Sequence, residues 1–138
     1  MIAYIDSSVL LRIILRQPNA LKQWPVIERG ISSALLEVEC LRTLDRLRLA
    51  EQRADDEIAI RRESVFRLME SLEIVELTRP VLGRAAQPLP TALGTIDAIH
   101  LASALLWRER KGLDLVMTTH DATLATAARA CGLRVIGI

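Results

Sequence analysis

A chain of 138 residues is long enough for one domain to bury a core without disulfides or a structural metal, and too short for a second domain. Eighteen basic against 17 acidic side chains, with 51% hydrophobic and 25% charged residues, describe a folded globule and exclude a disordered tail or a polyanion binder driven by net charge. Only Lys22 and Lys111 are lysines, so nearly all positive charge is guanidinium, suited to bidentate phosphate and carboxylate contacts, although a GC-rich genome produces the same bias.

The apolar run 2–5 has the pattern of a buried parallel strand and ends at Asp6-Ser7-Ser8, all helix-capping types. A strand is therefore expected to run straight into a helix over about 8–16, ended near Pro18. A second short helix is expected over about 20–29, stopped by Gly30, followed by a minimal strand at 31–33. Over 34–49, Leu35, Val38, Leu41, Leu44 and Leu47 recur every three residues with Arg42, Asp45, Arg46 and Arg48 between them, which predicts an amphipathic helix. A charged helix over about 54–72, a strand at 74–77, a short helix opened by Pro80 and the longest loop at 88–90 follow. Thr95 is expected to cap a helix running to about Arg110, where Gly112 stops it. A strand at 115–117, a helix over 121–131 closed by Gly132 and a strand at 133–136 complete the chain.

Short strands alternating with helices predict an α/β fold: one domain spanning residues 1–138, with a short central parallel sheet of about five strands flanked by helices on both faces. Cys40 and Cys131 have no Cys or His at ligand spacing, which argues against zinc and against a disulfide framework. The apolar stretch 9–15 is broken by Arg12 and preceded by Asp6, so no signal segment or membrane span is expected, and the chain reads as cytoplasmic.

Ligands of such folds sit outside the carboxyl ends of the strands, so polar residues there are the candidates for function. Asp6 follows the first strand and Asp121 follows the 115–117 strand, while Asp97 and Glu39 lie in the first two turns of helices opening onto the same edge. Each acid has a local explanation, since Asp at a helix start caps backbone N–H groups and complements the helix dipole. Glu39 fits that explanation least, because it lies close to its helix's apolar stripe, where an unpaired carboxylate is costly. If the four converge, each pair about 4 Å apart repels by roughly 4 kcal/mol at an effective dielectric near 20, so protons or a cation must be present. A hard divalent ion, Mg²⁺ or Mn²⁺, suits carboxylate oxygens and does phosphodiester chemistry.

Four segments, in this order, make the chain resemble the PIN-domain ribonucleases, and among them the VapC toxins of bacterial toxin–antitoxin pairs. They are Tyr4-Ile5-Asp6-Ser7-Ser8, Ser33 with Glu39 six positions on, Asp97-Ala98-Ile99-His100-Leu101-Ala102, and Thr119-His120-Asp121 leading into Ala127-Ala128 and Cys131-Gly132-Leu133. The resemblance implies an endoribonuclease cleaving RNA by attack of metal-activated water. Asp6 and Asp97 are then the principal metal ligands, Asp121 completes the acidic pocket, and Glu39 orients the water or accepts its proton. Ser8 and Thr119 match positions whose hydroxyls support these carboxylates. The resemblance also implies a homodimer and a cognate VapB-like antitoxin that blocks the site, while residues 50–90 carry no motif.

His100 and His120 have two readings each, packing or loop residues against a general base and an RNA contact. Arg42, Arg46 and Arg48 are a solvated helix face or, with Arg12, cations for flanking phosphates, and of these Arg12 and Arg42 are the candidates for substrate binding. Trp24 is either core or part of a partner surface, and Trp107 is assigned to packing. Two other functions fit the same residues: a non-catalytic PIN-like RNA-binding or adaptor protein, marked by loss of an acid, and a phospho-acceptor switch resembling a receiver domain. The latter needs a paired acid beside the first strand and a lysine after a late one, and neither is present.

Overall fold

Strand β1 (Ile2–Ile5) divides its side chains between two cores, as the period of two along a strand requires. Ala3 and Ile5 point to one face and Tyr4 to the other, all three without exposed surface. The computed structural model describes residues 1–138 and places β1 at the centre of a five-stranded sheet. With β2 (Arg29–Ser33), β3 (Glu73–Val75), β4 (Val116–Thr118) and β5 (Arg134–Ile136), the order is β3-β2-β1-β4-β5 and every neighbouring pair is parallel. Helices α1 (Ser7–Ile14), α2 (Leu35–Glu51) and α3 (Asp55–Ser71) supply Val9, Leu10, Leu36, Cys40, Leu44 and Val65 to the core around Ala3 and Ile5. On the opposite face Tyr4 packs with Leu101, Leu105, Leu124 and Ala127 from α5 (Thr95–Lys111) and α6 (Ala122–Ala130). Helix α4 (Arg79–Ala85) begins after Thr78, whose side chain accepts a bond from the Val81 amide. The α/β fold expected from the alternation is thus present, with six helices and five parallel strands.

The chain winds outward from β1 through β2 to β3, then crosses back to place β4 on the other side of β1. Between β1 and β4 the winding reverses, and that gap is where doubly wound sheets bind ligands. Asp6 and Thr119 directly follow the paired residues Ile5 and Thr118 at this gap. A receiver-like sheet would have the order β2-β1-β3-β4-β5. The observed order excludes the phospho-acceptor reading.

Three expectations are corrected. The helix expected over 20–29 is a set of turns with one 3-10 turn, Trp24–Val26, because Pro25 removes a helical N–H and the chain must already be extended at Arg29 to pair with Ile2. The N-cap of α5 is Gly94, and Thr95 is its first helical residue. In α2 the buried stripe is Leu36, Cys40 and Leu44, whereas Val38 is 57% exposed. Steps of three residues turn back by about 60° each around a helix, so that series leaves the buried face, whereas steps of four drift by only about 40°. The remaining boundaries agree within two residues: α1 ends at Ile14, two residues early, and β3 spans Glu73–Val75.

Gly137 pins the end of the chain beside the ligand-binding gap. Its φ is 106°, and a Cβ there would stand 2.5 Å from the Thr119 carbonyl oxygen. Gly137→Ala is expected to cost about 2 kcal/mol or more from the strained backbone and the clash, read as a fall in urea midpoint with unchanged slope. A midpoint within error of the parent would contradict this packing.

Candidate active site

Asp6 occupies the N-cap position of α1 but makes no capping bond. Only 3% of it is exposed, and its Oδ2 accepts hydrogen bonds from the Ser8 hydroxyl at 2.6 Å and the Thr119 hydroxyl at 2.8 Å. The same two hydroxyl oxygens accept from the turn before α6: Ser8 from the His120 amide at 2.9 Å and Thr119 from the Asp121 amide at 3.0 Å. The ends of β1 and β4 are thereby tied through one carboxylate oxygen, leaving Asp6 Oδ1 outside the network. Asp121 behaves differently, since its Oδ1 caps α6 by accepting from the Thr123 and Leu124 amides at 2.7 and 3.1 Å. The local-cap explanation therefore describes Asp121 and fails for Asp6. Thr119→Val removes one of the two bonds that orient Asp6 and is expected to reduce metal affinity by about 10–100-fold, measured by calorimetry. Unaltered affinity would mean that Ser8 alone orients Asp6.

Glu39 reaches the same edge from α2, with 21% of its side chain exposed. Its Oε2 accepts from the Ser7 hydroxyl at 3.0 Å, and its Oε1 is bonded to His100 Nε2. The other ring nitrogen, His100 Nδ1, lies 2.8 Å from the Tyr4 hydroxyl. A continuous polar chain, Tyr4–His100–Glu39–Ser7, thus runs from β1 through α5 and α2 to α1. Burial, reinforced by the negative charge of Asp6, raises the Tyr4 phenol far above its usual range, so it stays protonated. Burial pulls the His100 imidazole down, but the hydrogen bond and charge of Glu39, with Asp6 and Asp97, outweigh it and the net shift is upward. His100 is therefore a buried bridge: neither plain packing nor free to act on a ligand directly. Ser7 is a further member of this network that sequence reading passed over, and its place in the Asp6-Ser7-Ser8 run was the signal.

Asp97 stands half-buried on the first turn of α5. Burial raises its carboxyl above the ordinary range, and Asp121, Asp6 and Glu39 raise it further against the opposing pull of His100. The other three acids thus all act on Asp97, although no three His, Cys, Asp or Glu side chains stand close enough to hold one ion together. The acids gather at the carboxyl edge of the sheet, at the crevice where doubly wound folds bind ligands, without closing into a ligand cage. That suits Mg²⁺, which is commonly held by one or two carboxylates, with waters and substrate phosphates completing its octahedron. Asp6 Oδ1, Asp121 Oδ2 and the Asp97 carboxylate are the oxygens left to serve it.

Among the cations, Arg46 and Arg48 are bound along their own helix to Thr43 and Asp45, both at 3.0 Å, while Arg42 is exposed. Arg12 donates to the Asn19 carbonyl at 3.2 Å. Trp24 packs against the core of α1–α3, and Trp107 is buried with its indole N–H donating to Glu73 at 2.8 Å. The Cys40 thiol is pushed up to about 12 by burial and by the charges of Glu39 and Asp6, so it is an inert core residue.

An all-parallel sheet with acidic side chains at its winding reversal is the frame into which known sequences fit this chain. The chain belongs to the PIN domain family, whose model matches residues 3–130. Within that family it is of the VapC type. It is 32% identical over 137 residues to Ribonuclease VapC46 of Mycobacterium tuberculosis strain H37Rv, covering 96% of this chain and 95% of that protein. Ribonuclease VapC47 of strain CDC 1551 is 29% identical over 136 residues, covering 94% and 91%. The same fold occurs in the crystal structure of VapBC2 from Rickettsia felis bound to a promoter DNA fragment, with a TM-score of 0.68 at 11% identity over 99% of this chain and 98% of that one. PAE2754 from Pyrobaculum aerophilum shares it with a TM-score of 0.63 at 20% identity, over 98% and 89%.

Proposed function

We propose that this chain is a Mg²⁺- or Mn²⁺-dependent endoribonuclease that hydrolyses RNA phosphodiester bonds and acts as a VapC-like toxin. Its PIN domain spans residues 1–138. The observation that carries the reading is the crevice between β1 and β4, where the Asp97 carboxyl is raised by burial and by its acidic neighbours and Asp6 and Asp121 each keep an unbonded oxygen. Asp6 and Asp97 hold the ion, and Asp121 completes the pocket. A divalent ion held there would supply positive charge opposite the scissile phosphate and a bound water of lowered pKa. Ser8 and Thr119 hold Asp6 in the rotamer that presents Oδ1. Glu39, steadied by Ser7 and His100, orients the attacking water and accepts its proton at a carboxylate oxygen. Arg12 and Arg42 hold flanking phosphates.

The VapBC pairing in a relative's title supports a cognate VapB-like antitoxin, and the proposal includes a homodimeric, cytoplasmic toxin. No helix is long and apolar enough to cross a membrane. An antitoxin helix would need an apolar groove, and one of about 610 Å³ lies between α4, residues 86–94 and α5, with Leu82, Leu89, Leu93 and Ile99 in its walls. The test is cleavage of labelled structured RNA by protein freed of copurifying partners, with and without Mg²⁺ or Mn²⁺. Metal-dependent cleavage is expected. No cleavage and no metal binding by calorimetry would overturn the nuclease and leave the adaptor reading.

A further inference from the structure

A cavity of about 440 Å³ opens on the flank of α1, with His120, the neighbour of Asp121, in its wall. Its walls carry the nitrogen-bearing side chains of Arg12, Lys22 and His120 with the amides of Asn19 and Gln23, and no acidic side chain lines it. Six basic side chains elsewhere are matched to carboxylates and others, Arg42 and Arg46 among them, are not, so what sets Arg12 and Lys22 apart is that they share one cavity. Arg12 and Lys22 pair with none, and Arg12 spends one N–H on the Asn19 carbonyl. His120 forms the wall next to the crevice. Its Nδ1 lies 2.6 Å from the Gly137 carbonyl oxygen, which can only accept, so Nδ1 carries the proton and donates. Its Nε2 is left buried without a partner. The His120 amide donates to the Ser8 hydroxyl that also holds Asp6, so this wall and the crevice share one hydrogen-bonded turn.

We infer that this cavity is an anion subsite that seats a backbone phosphate of the RNA strand flanking the scissile one, with Arg12 and Lys22 as its two cations. It rests on the ribonuclease reading and adds to it the direction in which the strand leaves the crevice, over the α1 flank. A guanidinium gives the phosphate two directed N–H bonds and the ammonium a point charge, while the acids next door repel any phosphate not neutralised at the crevice. The cavity is thus a holding site for substrate and not part of the bond-breaking step.

The experiment uses the full chain carrying Asp6→Asn, without divalent metal, and a labelled single-stranded RNA followed by fluorescence anisotropy across a salt series. Adding Arg12→Gln and Lys22→Gln is expected to raise Kd on the order of tenfold and to flatten the log–log salt slope by about 0.7, the value for one neutralised phosphate on a single strand. Arg53→Gln, in the turn between α2 and α3 and paired with Glu51 and Glu57, should change neither. RNA binding with unchanged Kd and slope in the double variant would overturn the subsite and leave the nuclease reading standing. If the Asp6→Asn parent binds no RNA without metal, inorganic phosphate decides the cavity, and the nuclease reading stands or falls on the cleavage and metal-binding test above. Amide shifts at Lys22 and His120 on phosphate titration, lost in the double variant, would keep it as an anion site, and their absence would overturn it.

Discussion

Asp6→Asn is expected to lower metal-dependent RNA cleavage by more than the 10–100-fold typical of losing an outer-shell partner, while leaving the apo fold as stable as the parent. The asymmetry follows from how the side chain is used. Both structural bonds, from Ser8 and Thr119, fall on Oδ2, and an asparagine carbonyl oxygen can accept both. What the substitution removes is the charge and the Oδ1 lone pair facing the crevice. It also removes one of the like charges that act on Asp97, so melting temperature should hold or rise slightly. Cleavage at the parental rate would displace Asp6 from the metal site. Lost cleavage accompanied by a melted fold would mean that the charge is structural, contrary to the nuclease reading.

His100→Ala is the substitution expected to cost most stability. It leaves the Tyr4 hydroxyl buried without its partner, strips Glu39 Oε1 of its bond and opens a cavity in a position with no exposed surface. An orphaned buried hydroxyl costs about 1–3 kcal/mol and the lost ring adds to it, so a loss of about 3 kcal/mol or more is expected, roughly 10 °C in melting temperature. The same residue sets a pH dependence. The folded state raises the imidazole above its free value of about 6.5, so it binds the proton more tightly than the unfolded chain does. The stability this contributes to the metal-free protein is complete below about pH 6.5 and is lost as pH rises through the raised folded value. Urea midpoints taken upward from pH 6 should fall for the parent and stay level for His100→Ala. Parallel curves for the two proteins would show that His100 does not carry the proton.

Much of this architecture is legible locally. The apolar run 2–5 needs burial on both sides, which only a central parallel strand provides, and Asp6-Ser7-Ser8 ends it whatever lies around it. Gly112 closes α5 in the left-handed conformation that glycine tolerates, and Pro80 opens α4 where a missing N–H costs nothing. The misread 20–29 segment and the misphased stripe of α2 failed for one reason. Burial is decided by what packs against a residue, and neither the pairing of Arg29 with Ile2 nor the contact of Leu36, Cys40 and Leu44 with α1 and α3 is written in the spacing of apolar letters.

The candidate site divides along the same line. The residue types, their order and their position after strands or in first helical turns are properties of the sequence, because capping, strand formation and helix periodicity act over a few residues. Four acids bound for one edge of an α/β sheet could therefore be named before any coordinates. Which acid caps a helix and which faces the crevice, Asp121 or Asp6, depended on whether Thr119 folded back onto β1. The bonds joining Tyr4, His100 and Glu39 span 96 and 61 residues of chain. Likewise the sheet order that excluded the receiver-like alternative is a choice among topologies that share every local element. Short-range propensity is blind to such choices, because they are made by the long-range burial of apolar faces and the pairing of polar groups that this burial strands.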